Sequence, residues 1–273
     1  MDRRLTPANA RAALESLRGI VDAPVYVPGE PARVLPAVAD LLKTPEGARD
    51  RQVLHGEVMT VIDRHEGWVF VQAAKDGYCG YLPDRALGPP EAATHWVCTP
   101  STHLYEGPKV QHRALMPLPM GARLRVIGQT GPWAETAAGF VPAMHLLALG
   151  QHHPDPARVA QRLLDAPYLW GGNSVAGLDC SGLAQLAFAA CGISLPGDSD
   201  LQSACGRAIA AEEPLRRNDL LFWKGHVAIA LSADHMIHAT ASVMAVTEEH
   251  IGEGVARILA AGEGPVTHRR RIV

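Results

Sequence analysis

The stretch Leu178-Asp-Cys-Ser-Gly-Leu-Ala-Gln-Leu-Ala-Phe-Ala-Ala190 decides the reading of this chain. From Ser181 onward it is rich in helix formers, with apolar residues at helical spacing, so a helix is expected. Asp179 is a good N-cap for it. Cys180 then falls in the first turn, where the backbone dipole and the free N–H groups favour an anion, and a thiolate is an anion. Downstream, Gly225-His-Val-Ala-Ile-Ala-Leu231 and His235-Met-Ile-His-Ala239 read as two short apolar strands joined by a turn at Ser232-Ala-Asp234. Strands of one hairpin can bring His226 and His238 side by side. A helix-end thiol facing a strand histidine, itself oriented by a second histidine, is the arrangement that nucleophilic cysteine chemistry needs.

The other cysteines, Cys79, Cys98, Cys191 and Cys205, read as inert thiols, because cysteine is among the most buried residue types. There is no Cys-x-x-Cys pair and no regular ligand spacing, so no structural zinc is expected, and nucleophilic cysteine chemistry needs no metal or organic cofactor. His152-His153, in the short linker Gly150-Gln-His-His-Pro-Asp-Pro156, reads as a solvated pair. At 273 residues the chain has room for more than one domain, and its net charge of −3 offers no basic field for nucleic acid. Arg269-Arg-Arg271 is expected to end a surface strand. No run approaches the roughly 18 apolar residues that suggest a membrane span. The opening Met1-Asp-Arg-Arg-Leu-Thr-Pro7 lacks an apolar export core, and five free cysteines fit a reducing compartment, so a cytoplasmic protein is expected. The oligomeric state stays open.

The first half contains a repeat. Gly56-Glu-Val-Met-Thr-Val-Ile-Asp-Arg-His-Glu-Gly-Trp68 matches Gly121-Ala-Arg-Leu-Arg-Val-Ile-Gly-Gln-Thr-Gly-Pro-Trp133, with twelve residues from Gly to Trp in both. Each copy closes on an aromatic-aliphatic-Pro corner, Tyr81-Leu-Pro83 and Phe140-Val-Pro142, and Leu87 and Leu146 each follow six residues after the aromatic. Short β-rich segments between Gly and Pro, repeating after about 60 residues, suggest two small barrels. Val58–Ile62 and Leu124–Ile127 carry the strand character. Ahead of them, Thr6 and Pro7 predict a capped helix running to Arg18. Val21–Arg33, with Pro24, Pro28 and Pro31, reads as an extended tether. Asp155 should cap a further helix from Pro156 to Leu164.

Five motifs in order carry a resemblance: Tyr168-Leu-Trp-Gly-Gly172, Leu178-Asp-Cys-Ser-Gly182, Leu195-Pro-Gly-Asp-Ser-Asp-Leu-Gln202, Asn218-Asp-Leu-Leu-Phe-Trp-Lys-Gly-His-Val-Ala-Ile229 and Met236-Ile-His-Ala239. From about Pro154 onward the chain resembles the NlpC family of papain-like cysteine peptidases, which cut bacterial cell-wall peptides. Each repeat copy resembles the bacterial SH3-like domains often joined to that family. The resemblance implies an α+β fold, a papain-like peptidase domain preceded by two small SH3-like β-barrels. The expected divisions are 1–30 for the N-terminal helix and tether, 31–90 and 91–149 for the barrels, and 150–273 for the peptidase. It implies Cys180 as nucleophile, His226 as general base, His238 as its orienting partner, and Tyr168 near the oxyanion position. One departure is Asn218, where the family usually has Gly; Asn tolerates the same turn conformations.

The tandem-barrel arrangement is further similar to γ-D-glutamyl-L-diamino-acid endopeptidases that recycle wall peptides in the cytoplasm. In those enzymes an acidic residue of the first barrel meets the substrate's free N-terminal amine. Here the resemblance implies Glu57, which corresponds to Ala122 in the second copy, joined by Tyr78 or Tyr81. Trp170, Asp179, Ser181, Asp198 and Ser199 would complete the pocket for a small murein peptide, with diaminopimelate or lysine after the cut. Two other classes stay open at this point: a papain-like amidase or acyltransferase on another acyl donor, and a non-catalytic wall-fragment binding protein.

Overall fold

In the first copy of the repeat, Val58–His65 runs as one strand whose Met59 and Val61 enter a core with Val34, Leu41, Val53, Val69, Val71 and Leu82. A bulge between Val61 and Asp63 adds a residue to this strand against Trp68–Ala73, so Ile62 is buried as well, on the opposite side. There Ile62 joins Ala12, Phe70 and Cys79, and the N-terminal segment covers the outer face of the sheet. The computed structural model describes residues 1–272 and has two compact units, Met1–Leu149 and the chain from Gly150 onward. The first sheet has seven antiparallel strands, in the order Arg49–Leu54, Val38–Leu42, Cys79–Pro83, Trp68–Ala73, Val58–His65, Glu30–Val34 and Leu87–Gly88.

The second copy repeats this plan with less regularity. Tyr81-Leu-Pro83 and Phe140-Val-Pro142 both end a strand, lead into a 3₁₀ turn (Asp84–Ala86, Ala143–His145) and deliver Leu87 and Leu146 to the next strand. Leu82 and Val141 are the fully buried middle residues of the two corners. Gly56 and Gly121 both hold positive φ. At Gly56 the first barrel also meets the second, since a Cβ would press against the Arg123 carbonyl. The expected strand Leu124–Ile127 is broken, however. Arg123–Leu124 and Gly128–Thr130 pair separately, because the Val126 N–H turns to the Thr94 hydroxyl (2.9 Å).

Two N-terminal expectations fail. The helix from Thr6 does not form. Asn9 Oδ1 accepts from the N–H groups of Arg11 and Ala12 at 2.8 and 2.9 Å, and such a local side-chain bond competes with the helical ladder. Thr6 donates to the Asp2 carbonyl instead of capping, Ala13–Leu14 pairs with Tyr26–Val27, and only Glu15–Leu17 winds a single 3₁₀ turn. The supposed tether therefore ends in sheet, with Glu30–Val34 between two barrel strands.

The second unit is a six-stranded antiparallel sheet: Arg207–Ala208, His268–Arg271, Leu220–Trp223, His226–Ala230, His235–Thr240 and Ala245–His250. Helix α1, Pro156–Gln161, is shorter than expected, and Asp155 does not cap it through its side chain. Asn218, at φ +75°, accepts from the Ala157 N–H (2.8 Å), a bond glycine could not make there. Asp155 pairs with Arg217 instead. Helix α2, Cys180–Ala189, is buried on nearly every side and lies against α1 and the two histidine strands. Full burial of Leu183 and Phe188 contributes about 1.5–3 kcal/mol each. Helix α3, Ser199–Gln202, packs on α2. Helix α4, Ile251–Ala260, covers the sheet with Ile251, Val255 and Ile258 over Leu221, Trp223, Ala228 and Met236. The terminal arginines are spent internally: Arg269 on the Ala210, Ala211 and Glu213 carbonyls, Arg270 on the Ser203 carbonyl, Arg271 on Asp219 and Glu213. Among the described residues no helix is long and apolar enough to cross a membrane.

Candidate active site

Each residue of Asp179-Cys-Ser-Gly182 has a physical reason to be there. Asp179 caps α2, with Oδ1 accepting from the Gly182 N–H (2.6 Å) and the Ser181 hydroxyl (2.9 Å). Its Oδ2 accepts from the Gly171 N–H (2.9 Å), so one carboxylate ties the Tyr168–Gly172 loop to the helix start. Gly182 admits the same loop: a Cβ there would lie 2.2 Å from the Gly172 carbonyl oxygen. Gly172 in turn passes within reach of the Gly177 carbonyl, and Gly171 holds φ +72°. The result seats Cys180 as the first residue of α2. Tyr168 is half-buried. Burial holds its phenol protonated, up to about 12, with the charges of Cys180 and Asp179 adding to the effect.

The strand register, Ile229 opposite Ile237 and Ala230 opposite Met236, places His226 and His238 on one face, two residues off direct opposition. They meet through His226 Nε2 and His238 Nδ1 at 2.8 Å, which leaves His226 Nδ1 as the ring nitrogen not engaged by His238. Cys180 Sγ lies 3.9 Å from the carbonyl oxygen of Gly225, immediately before His226. Trp223 packs against the His226 ring at 5.5 Å between centroids.

The electrostatics differ from the sequence expectation of a favoured thiolate. Burial pushes the Cys180 thiol up to about 12, and the Asp179 carboxylate adds to this. The N–H groups of Val227, Ser181 and Cys180 itself favour the anion but do not outweigh burial. Burial likewise drives His226 down to about 3, helped by His238 and Arg257 and opposed by Glu249; His238 falls to about 4 through burial and Arg257. At neutral pH the resting pair is therefore a neutral thiol and a neutral imidazole. A neutral thiol beside a neutral imidazole can form an ion pair only as the thiol reacts.

Three contributors escaped the sequence reading. His238 Nε2, fully buried, lies 2.7 Å from Glu249 Oε1, and Arg257 bonds the same oxygen at 2.5 Å. Glu249 stood in an acidic pair, Glu248-Glu249, that reads as surface. Only the register Met236 opposite Glu249 turns it to the histidine face. Gln202, fully buried, donates to the carbonyls of Ser181 and Pro196, both at 3.0 Å, and so links α3 to α2. Its signal was present, as the last residue of Leu195–Gln202. Among the implied pocket residues, Asp179 and Ser181 are committed to the helix cap, while Asp198 and buried Ser199 open α3. Trp170 is largely exposed.

In the first unit, Glu57 is buried and its Oε1 accepts from Lys75 Nζ (2.8 Å). Its other oxygen, Oε2, is buried with no hydrogen-bond partner among the described residues. Tyr78 belongs to the barrel core, with Arg51 over its ring at 5.2 Å. Tyr81 is half-buried on the outer face against Phe70.

Residues 165–257 match the NlpC/P60 family, and residues 41–87 match the bacterial dipeptidyl-peptidase Sh3 domain. The chain is similar to a gamma-D-glutamyl-L-lysine dipeptidyl-peptidase of Bacillus cereus, 28% identical over 229 residues that span 70% of this chain and 67% of the relative. It is also similar to dipeptidyl-peptidase 6 of Lysinibacillus sphaericus, 25% identical over 229 residues, covering 73% of this chain and 84% of the relative. The crystal structure of an NlpC/P60 family protein from Bacillus cereus shares the fold at a TM-score of 0.74 and 21% identity, covering 89% of this chain and 99% of that one. The chain thus carries an NlpC/P60 domain that follows a bacterial dipeptidyl-peptidase SH3 domain, and it is a cysteine peptidase.

Proposed function

We propose that this protein hydrolyses the bond between the γ-carboxyl of D-glutamate and the following diamino acid, in murein peptides that present a free N-terminal L-alanine. The observation that carries the chemistry is the seating of Cys180 at the start of α2 beside the hydrogen-bonded His226 and His238. His226 takes the thiol proton, and Sγ attacks the γ-glutamyl carbonyl. The Cys180 N–H, in the first helical turn, and the protonated Tyr168 phenol supply donors for the oxyanion. His226 returns its proton to the leaving amine. Water, deprotonated by the same histidine, then releases L-Ala-γ-D-Glu from the thioester.

The choice of substrate rests on Glu57. A buried carboxylate oxygen without a partner is costly, and an ammonium is a group that would satisfy it. Lys75 already shows the same chemistry on the other oxygen. The name of the Bacillus cereus relative, a gamma-D-glutamyl-L-lysine dipeptidyl-peptidase, points to the same bond. We place this activity in wall-peptide recycling in the cytoplasm, as the free cysteines fit a reducing compartment.

The test is product mass spectrometry on L-Ala-γ-D-Glu-diaminopimelate and its lysine counterpart, each with and without N-acetylation. Cleavage should need Cys180, and N-acetylation or Glu57→Ala should each cut kcat/KM about 100-fold, the loss of a charge-assisted contact of about 2.7 kcal/mol. Equal rates on free and acetylated peptides would remove Glu57 from amine recognition.

A further inference from the structure

We propose that Glu249 is a positioning residue that selects the working tautomer of the His226–His238 pair, with Arg257 clamping its carboxylate. This rests on Cys180, His226 and His238 being the catalytic set. A neutral imidazole has one N–H and one lone pair. The bond between His226 Nε2 and His238 Nδ1 can be made in two ways. In one, His226 donates from Nε2 and keeps its lone pair on Nδ1, the nitrogen left for the thiol. In the other, His238 donates from Nδ1, and His226 carries its proton on Nδ1, where it is useless as a base.

Nothing within the pair chooses between the two. The choice lies at the far nitrogen of His238. Nε2 is fully buried, has no in-line hydrogen bond among the described residues, and faces Glu249 Oε1 at 2.7 Å. An ionised carboxylate can only accept. It draws the His238 proton to Nε2, leaves the lone pair on Nδ1, and so makes His226 the donor from Nε2. The His226 lone pair then stands on Nδ1. When the thiol reacts, its proton moves to Nδ1 and the S–H pair becomes the nucleophile. His226 becomes imidazolium, still bonded through Nε2–H, and no proton leaves His238.

The surroundings hold the carboxylate in that place. Gly254 of α4 has no side chain where a Cβ would sit 2.8 Å from both Cδ and Oε1 of Glu249. The helix backbone therefore closes directly on the carboxylate. Arg257, one turn further on, reaches the same oxygen that faces His238. Thus the one helix supplies both the space and the counter-charge for a carboxylate beside a buried histidine.

The decisive measurement is on the unmodified protein. ¹⁵N spectra of histidine-labelled full-length chain, assigned by replacing each histidine singly, should show His226 protonated on Nε2 and bare on Nδ1. A proton on Nδ1 would overturn the proposal outright. Glu249→Leu should shift both rings toward the other tautomer and lower kcat about 100-fold with KM nearly unchanged, because a small misplacement of a catalytic group costs that much. Glu249→Gln should recover most of the rate, since both His238 and Arg257 would hold its carbonyl oxygen where Oε1 now sits. Loss of rate in Leu with unmoved ¹⁵N shifts, or a Gln variant as poor as Leu, would reduce Glu249 to an ordinary ion-pair partner of α4. Cys180→Ala, run alongside, separates the two readings: its normal turnover would sink the catalytic set itself.

Discussion

Asp179→Ala should make the protein less stable and its thiol more acidic at the same time. The carboxylate accepts from the N–H groups of Gly182 and Gly171 and from the Ser181 hydroxyl. Loss of an N-cap costs about 1 kcal/mol, and a bond to a charged acceptor is worth about 1.5–3 kcal/mol net. Water can reach part of this half-buried site and recovers some of the loss, so we expect about 2–4 kcal/mol in total. That is a large share of the roughly 5–15 kcal/mol that holds a domain folded. The thiol moves the other way. Asp179 raises the Cys180 thiol, so its removal lowers it and shifts the alkylation profile to lower pH. Asp179→Asn keeps the acceptor on Oδ1 but sets an amide N–H against that of Gly171, and should fall between the two. The assays are urea unfolding, with the transition assigned by hydrogen exchange across 180–189, and iodoacetamide labelling of Cys180 followed by peptide mass spectrometry. An alanine variant within 0.5 kcal/mol of the parent, or a profile moved to higher pH, would refute the reasoning.

Two further outcomes follow from the same site. Gly182→Ala should cost about 1–3 kcal/mol, because its Cβ meets the Gly172 carbonyl oxygen at 2.2 Å and Asn173 Oδ1 at 2.7 Å and the loop must move; hydrogen exchange of α2 reads it. In the unmodified protein, alkylation of Cys180 should keep accelerating with pH beyond about 9, since burial keeps the thiol protonated through the neutral range; a plateau near neutrality would show a preformed ion pair.

Much of the site was legible because its parts are local. Asp179 as a cap, Cys180 at a helix start, and His226 and His238 on a hairpin each follow from a few neighbouring residues and their backbone preferences. The barrel repeat was legible for the same reason, since turn glycines and Pro corners force the same path twice. The N-terminal helix was misread because Thr6, Pro7 and the alanines that follow favour a helix, whereas the Asn9 side chain captures the very amides that a helix would use. Glu249 could not be read, because its partner His238 lies eleven residues away across a strand pairing, and α4 brings Arg257 back to both.

The sequence by itself placed a thiol at a helix start and two imidazoles on one hairpin, each in a segment whose short-range physics dictates its conformation. Only the tertiary structure decided the state of those groups. Burial keeps thiol and imidazole neutral, and a carboxylate on the neighbouring strand faces the outer nitrogen of His238. Charge and protonation depend on everything within several ångströms, whatever its distance along the chain, and so they arise only once the sheet and helices have closed.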